Sequence, residues 1–458
     1  MHSSIGQESK RFQEISAMLR QAPLTALREM LPDREILAAC DAAGHRFRRR
    51  FYDPIVTVLH FLLAAIQREE SFAATWQRLW TRVASELGLD GRAFNSAALA
   101  QARSRLPKAV FDKLLVQACA VSEEQFSTWR GLRLLVIDST TVSMPRDQAL
   151  FAHFGAHKAR TTTVRYPLAT FCALLCVGTG LVVDYRFGPF DPGELETATP
   201  LLANLRPGDL ALGDRRFAGS PTLARTYSTG ADFLMRKHAR LRPDRLPVIE
   251  RLGRHDIVTD IPMNKPARKK DPSLPPSVRV RLFKARWTAP SGEKIEEWFV
   301  TSLQDAERFP PKVLANLYHR RWRIETTYAE FKVFFHADIL RSKTVDNIEK
   351  EFAAHVLAYQ LIRRLIVEAA KAHDKKPTEI SALNAARWVL DFSAQMSSAP
   401  AWKLPLMYER LLAAIASTPI DVRPGRIEPR ALTREWKHYP HLRISRRQWR
   451  EQHFKETA

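Results

Sequence analysis

The sequence predicts a mixed α/β protein: a strand-rich core with crossover helices, preceded by an all-helical unit, interrupted by a β insertion and closed by a helical, basic tail. Three observations predict it. Apolar residues recur with a helical period through positions 1–129. From Arg133 the pattern changes to short β-rich runs that come to alternate with helical segments. Between 237 and 303 that alternation is broken by Pro-rich, basic material lying between further strands.

In the first unit the periodicity predicts helices over 12–31, 34–43, 54–68, 72–87 and 108–120, with breaks at 88–94 and at Pro107. The segment SAALAQARSRL adds a short helix carrying Arg103 and Arg105. It offers either a recognition helix for a nucleic-acid groove or another packed helix of the bundle.

The core, 130–236, starts with LLVID, LATFCALLCV and LVVDYRFG, three strands with a tight turn at 178–180 that read as a meander. A helical segment over 194–205, the strand DLALGD, a helix over 220–228 and the strand ADFLMR follow, an order that calls for parallel strands with crossovers. The insertion, 237–303, includes the strands VRVRLF and EWFVTSL, and its Arg279 and Arg281 alternate with Val278, Val280 and Leu282, which would set cations on one strand face. A solvated face is the other reading of that alternation.

Residues 304–372 return to helix, with Pro310 and Pro311 opening one long helix and a second over 348–370. A tail, 373–458, ends the chain; from Arg423 onward it holds ten Lys or Arg against four Glu. No internal repeat is present.

Along the first of those late helices, Tyr318, Arg321, Glu325 and Lys332 are spaced by 3, 4 and 7 residues. On an ideal helix they fall within an arc of about 60°. The apolar residues Val313, Leu317, Ile324, Tyr328, Phe331 and Phe335 fall on a neighbouring arc, so the polar stripe would lie at the edge of a core. A carboxylate flanked by cations suits a site that holds a metal ion and a phosphate together.

Lys and Arg number 71 against 49 Asp and Glu, a net charge of +22, and the pI is near 10.1. Such an excess favours a polyanionic partner, nucleic acid first, although it names no chemistry. Cys40, Cys119, Cys172 and Cys176 are too scattered for a disulfide framework and read as core thiols of a reducing compartment. The most apolar stretch, 55–66, is shorter than a membrane span and carries His60, and the N-terminus has no signal-peptide core, so the protein is expected in the cytoplasm with no membrane partner.

Asp138 and Asp214 close the apolar runs LLVID and LALGD, and adjacent parallel strands would bring them together. Singly, an aspartate at a strand end serves a turn or a helix cap. Two converged carboxylates with Glu325 repel one another unless a cation neutralises them, which calls for divalent metal. His153 and His157 lack a third ligand at matching spacing and read as loop residues.

The segment YHRRWRIETTYAEFK, Tyr318 to Lys332, carries the Y-x2-R-x3-E-x6-K signature and resembles the insertion-sequence-four family of bacterial DDE transposases, Tn-five-like proteins among them. LLVIDSTTV resembles that family's first-aspartate strand, GELETATPLLANLRPGDLALGDRRF its second-aspartate region, and IEPRALTREWKHYP its basic tail, so the similarity covers roughly 130–440. Arg216 is a departure, since the position two after the second aspartate is commonly glycine in the family. The first 129 residues share only general helical likeness with family members.

The resemblance implies a ribonuclease-H-like catalytic core with the β insertion ahead of the acidic helix. It implies that Asp138, Asp214 and Glu325 bind two Mg²⁺ ions, with Mn²⁺ able to substitute, one activating the attacking water or 3′-hydroxyl and the other stabilising the leaving oxygen. Tyr318, Arg321 and Lys332 would hold the DNA backbone, and Trp298 occupies the place where Tn-five-like proteins stack a tryptophan on a flipped base. Trp322 reads as packing. The expected protein is a nucleoid-associated, cut-and-paste transposase that binds terminal inverted repeats and target DNA as a homodimer, with a hairpin intermediate. Two alternatives stay open: a ribonuclease-H-like nuclease that cuts without joining, and a domesticated DNA-binding regulator.

Overall fold

The protein was analysed as a computed structural model that describes residues 24–48, 52–67, 71–86, 96–119, 128–156, 166–191, 193–288, 294–321, 327–328, 330–334 and 337–420. These residues belong to one compact unit ending at Ile420. The basic stretch of the tail lies outside the described residues, as do Glu325, Trp322, His157 and most of the helix expected over 12–31.

Among the described residues, five α-helices come first: α1 (Asp33–Ala42), α2 (Pro54–Ile66), α3 (Phe72–Glu86), α4 (Ser96–Arg105) and α5 (Lys108–Cys119). Every residue of α2 is buried, and Asp53 caps it by accepting from the Val56 amide at 2.9 Å. His60 is part of that buried helix; its Nε2 meets the Phe72 carbonyl at 3.0 Å, and burial pushes its pKa down to about 3, so it is a neutral core residue.

On α4, Arg103 is consumed by packing: its guanidinium lies 3.5 Å from the Phe72 ring centroid and donates to Ser342 Oγ at 3.0 Å. The fully buried Lys350 donates to the Arg103 carbonyl at 2.7 Å. Bundle packing is therefore the correct reading of Arg103, while Arg105 is exposed.

The strands and helices that follow are β1 (Thr128–Trp129), β2 (Leu132–Ser143), α6 (Gln148–Phe154), β3 (Leu168–Cys176), β4 (Val182–Pro189), α7 (Glu194–Ala198), β5 (Asp209–Gly213), α8 (Ser220–Ser228) and β6 (Asp232–Arg236). The insertion supplies β7 (Glu250–Gly253), β8 (Asp256–Pro262), α9 (Lys265–Lys270), β9 (Ser277–Thr288) and β10 (Lys294–Thr301). Last come α10 (Pro311–Tyr318), α11 (Val345–Ala372), α12 (Ala382–Met396) and α13 (Leu404–Ala416).

All the strands join one sheet in the order β4-β3-β2-β5-β6-β10-β9-β8-β7, with β1 paired to β2. The expected meander is β2-β3-β4, antiparallel throughout, and the expected parallel strands are β2, β5 and β6. The insertion extends the sheet rather than standing apart, because β10 pairs antiparallel with β6.

Pleat alternation splits the apolar residues between two faces. Leu134, Val136, Leu210, Leu212, Leu234 and Phe299 face the larger core, built around α11, which packs on the N-terminal helices and on α12 and α13. Leu135, Ile137, Ala211, Met235, Leu282 and Val300 face the second core. No helix among the described residues is long and apolar enough to cross a membrane.

Two strand expectations need correction. Asp138 does not end its strand: β2 continues through the β-branched run to Ser143, and Asp138 pairs with Ala173 in its middle. Arg281 is no free cation, being fully buried with a two-point ion pair to Asp256 at 2.7 and 2.6 Å and a further bond to the Phe309 carbonyl at 2.9 Å. Arg279 alone is exposed, and it too is paired, with Asp260 at 3.0 Å.

Candidate active site

The parallel register of β2 and β5 brings the two aspartates together. Arg133 is opposite Asp209 and Val136 opposite Leu212, so two residues further on Asp138 stands beside Asp214, just past the end of β5. Parallel strands run about 4.8 Å apart, and residues in register point to the same face. Gly213 fits closely at the turn into Asp214, since a Cβ there would lie 3.1 Å from Phe217 Cβ. The Asp214 carboxylate then accepts from the Arg216 amide at 2.7 Å, which fixes the turn.

Asp138 is a costly carboxylate. Burial pushes its pKa up to about 6; the Ser139 amide and Arg321 oppose that rise, and the charges of Asp214 and Glu194 add to it. Hard oxygen donors whose charge is disfavoured by burial and by a neighbouring carboxylate suit a divalent cation such as Mg²⁺. Among the described residues alone no group of three acidic, His or Cys side chains is clustered well enough to hold a metal, and Glu325 lies outside them.

The described parts of the signature segment lie near this pair of acids and are not uniformly α-helical. Helix α10 closes at Tyr318 and a 3-10 turn, His319–Arg321, follows; Glu330–Phe334 forms a π turn. Of the stripe's members, Tyr318, Arg321 and Lys332 are among the described residues, and each has its own surroundings. Tyr318 is buried and its hydroxyl donates to the Gly213 carbonyl at 3.2 Å, with burial pushing its pKa up to about 12. Arg321 Nη1 reaches Asp138 Oδ2 at 3.3 Å. Tyr328 donates to the Asp138 carbonyl at 2.7 Å. Lys332 is half-buried, and burial lowers its pKa while Asp338 opposes that shift.

Trp298 is not on the carboxylate face. It packs against the second core with Met235 and Val300, and its edge meets His255 at 6.2 Å. Its neighbour Glu297 is on the other face, paired with Arg236 and, at 3.5 Å, with Arg215. On that same face the insertion presents Trp287, 5.0 Å from the ring of His319.

Sequence reasoning missed Glu194. It accepts from the Ser139 hydroxyl and from Arg216 Nη1 at 2.7 Å, so the arginine at the family's glycine position reaches across to an acid, and its backbone stays out of the left-handed region. The signal was present in the first residue of ELETA, directly after Gly193 at φ 106.

The family model for the transposase DDE domain matches residues 129–361, which spans both aspartates and the whole signature. The chain is 26% identical over 434 residues to the transposase InsG for insertion sequence element IS4 of Escherichia coli (strain K12), covering 91% of this chain and 94% of that protein. The chain is a DDE transposase of the IS4 family. Among solved structures, this transposase is similar to piggyBac transposase in a synaptic complex with hairpin DNA, at a TM-score of 0.42 and 11% identity, over 87% of this chain and 86% of that one. In this transposase Asp138 and Asp214 stand in register on neighbouring strands, and Arg321 of the signature segment contacts Asp138.

Proposed function

We propose that this transposase binds the terminal inverted repeats of its own element, cuts them with Mg²⁺ held by Asp138, Asp214 and Glu325, and joins the freed 3′-hydroxyls to target DNA. The observation that carries this reading is the register of β2 and β5, which sets two carboxylates side by side under a signature segment whose Arg321 already contacts one of them. An antiparallel meander followed by parallel strands, with acids at the β2 and β5 positions, supports a ribonuclease-H-like core.

Bound metal supplies an activated nucleophile and a stabilised leaving oxygen for in-line phosphoryl transfer. Asp138 and Asp214 provide the anionic oxygens. Arg321, 3.3 Å from Asp138, would offer its guanidinium to the scissile phosphate. Lys332 adds a second cation, and Tyr318 fixes the segment to the Asp214 turn and reaches the DNA only by giving up the Gly213 carbonyl. Trp298 packs on the second core, whereas Trp287 is a half-buried tryptophan of the insertion on the carboxylate side and is a further candidate for base stacking. The net charge of +22 suits long-range attraction to duplex DNA, and handling two ends together calls for a homodimer in the DNA complex.

Incubating the chain with its element's ends and Mg²⁺ yields cut ends, and Glu325→Gln abolishes the cutting; a variant that cuts as well as the parent removes Glu325 from the metal site. Added plasmid separates joining from mere hydrolysis, since a nuclease leaves no strand-transfer product. A hairpin intermediate is expected on the excised element, and gels that show only open-ended linear products exclude it.

A further inference from the structure

A buried chain of polar groups, unused in the chemistry above, ties the segment after Glu325 to the core. Glu330 begins the π turn, and Arg363 Nη2 on α11 donates to Glu330 Oε2; the two side chains are 5% and 2% exposed. Arg363 Nε donates to the Tyr359 hydroxyl at 3.0 Å, and that hydroxyl donates to the Gly180 carbonyl at 2.8 Å. Gly180 has φ 76, and a Cβ there would lie 3.0 Å from Arg363 Nε, so the β3–β4 turn is shaped around the guanidinium.

Packing alone does not call for this pair. Phe331 already sits among Phe171, Phe352 and Tyr359, with ring centroids at 5.3, 5.6 and 6.0 Å. Apolar surfaces tolerate small slips, whereas sliding a buried ion pair out of register leaves each charge without its partner in a low-dielectric interior. A π turn adds a residue to the helical turn, is rare, and recurs at functional sites. Two residues before Glu330, Tyr328 bonds the backbone of Asp138.

We propose that Glu330 and Arg363 are positioning residues for the metal site. Their ion pair sets the rotation and depth of the segment around 327–334 and, through Tyr328, holds the Asp138 strand in its metal-binding geometry. The inference rests on the reading of Asp138 and Asp214 as metal ligands.

The test measures Mn²⁺ affinity by electron paramagnetic resonance on the full-length chain without DNA, alongside melting temperature and affinity for the element's end. Glu330→Gln weakens Mn²⁺ binding by about tenfold to a hundredfold, the usual effect of losing a group that orients ligands, with end binding unchanged. The paired apolar variant, Glu330→Met with Arg363→Met, regains the parent's melting temperature but not its Mn²⁺ affinity. Parent-like Mn²⁺ affinity in Glu330→Gln, or recovery of both properties in the double variant, overturns the positioning role. Asp138→Asn in the same assay tests the underlying reading: loss of Mn²⁺ binding there beside full binding in Glu330→Gln sinks the positioning role alone, and retained binding in Asp138→Asn sinks both.

Discussion

Two stretches of the same sheet handle charge in opposite ways. In the insertion, all four cations of β9 are matched: Arg279 by Asp260, Arg281 by Asp256, and Lys284 and Arg286 by Glu296. Where β2 runs beside β5 two carboxylates stand in register, and the Asp138 carboxylate meets a cation in Arg321 at the longer distance of 3.3 Å. Burial leaves Asp138 with a pKa raised to about 6 even so. Matched charge holds strands in place and is chemically quiet; poorly compensated charge under burial is where a ligand is needed.

The comparison breaks most sharply at Asp138. Asp138→Asn should lower the cleavage rate by at least about a thousandfold, as expected when a metal ligand that stabilises transition-state charge is lost. The same change should stabilise the metal-free fold. A carboxyl whose pKa rises from 3.8 unfolded to about 6 folded binds its proton more tightly in the native state, so stability falls as pH climbs through that window. Above it the cost levels off at up to about 3 kcal/mol, which the asparagine removes. Melting curves in EDTA from pH 4 to 8 should show the parent losing stability across that range and the variant losing less; parallel curves would mean that Asp138 carries no such penalty.

The insertion should behave in reverse. Arg281→Met leaves Asp256 buried without its partner and should cost about 3–5 kcal/mol in denaturant unfolding. Changing Asp256→Leu as well should recover most of the loss, and an unaltered single variant would contradict the buried pair. At the small end, Arg279→Ala removes an exposed ion pair and should leave the melting temperature unchanged. A clear drop would show that this surface pair holds the sheet edge together.

Much of this was legible in the chain. The meander and the parallel strands could be read because apolar runs such as LATFCALLCV and LALGD are bounded by turn residues. What could not be read depends on partners remote in sequence. The bond from Tyr318 to Gly213 and the pair of Glu330 with Arg363 accompany a run that local periodicity draws as one smooth helix but that contains a 3-10 and a π turn. Alternation placed Arg281 and Val280 on opposite faces correctly, yet nothing local says that both faces are covered. Parity sets Trp298 and Glu297 on opposite faces, but which of the two faces holds the carboxylates depends on strands remote in sequence.

The account turns on one cation gathered by two strands. Crystals of the chain soaked in Mn²⁺ and measured at the manganese absorption edge should show an anomalous peak between the Asp138 and Asp214 carboxylates, with Arg321 withdrawn from Asp138. A peak elsewhere, with the Asp138–Arg321 pair intact and no density between the two aspartates, would contradict it.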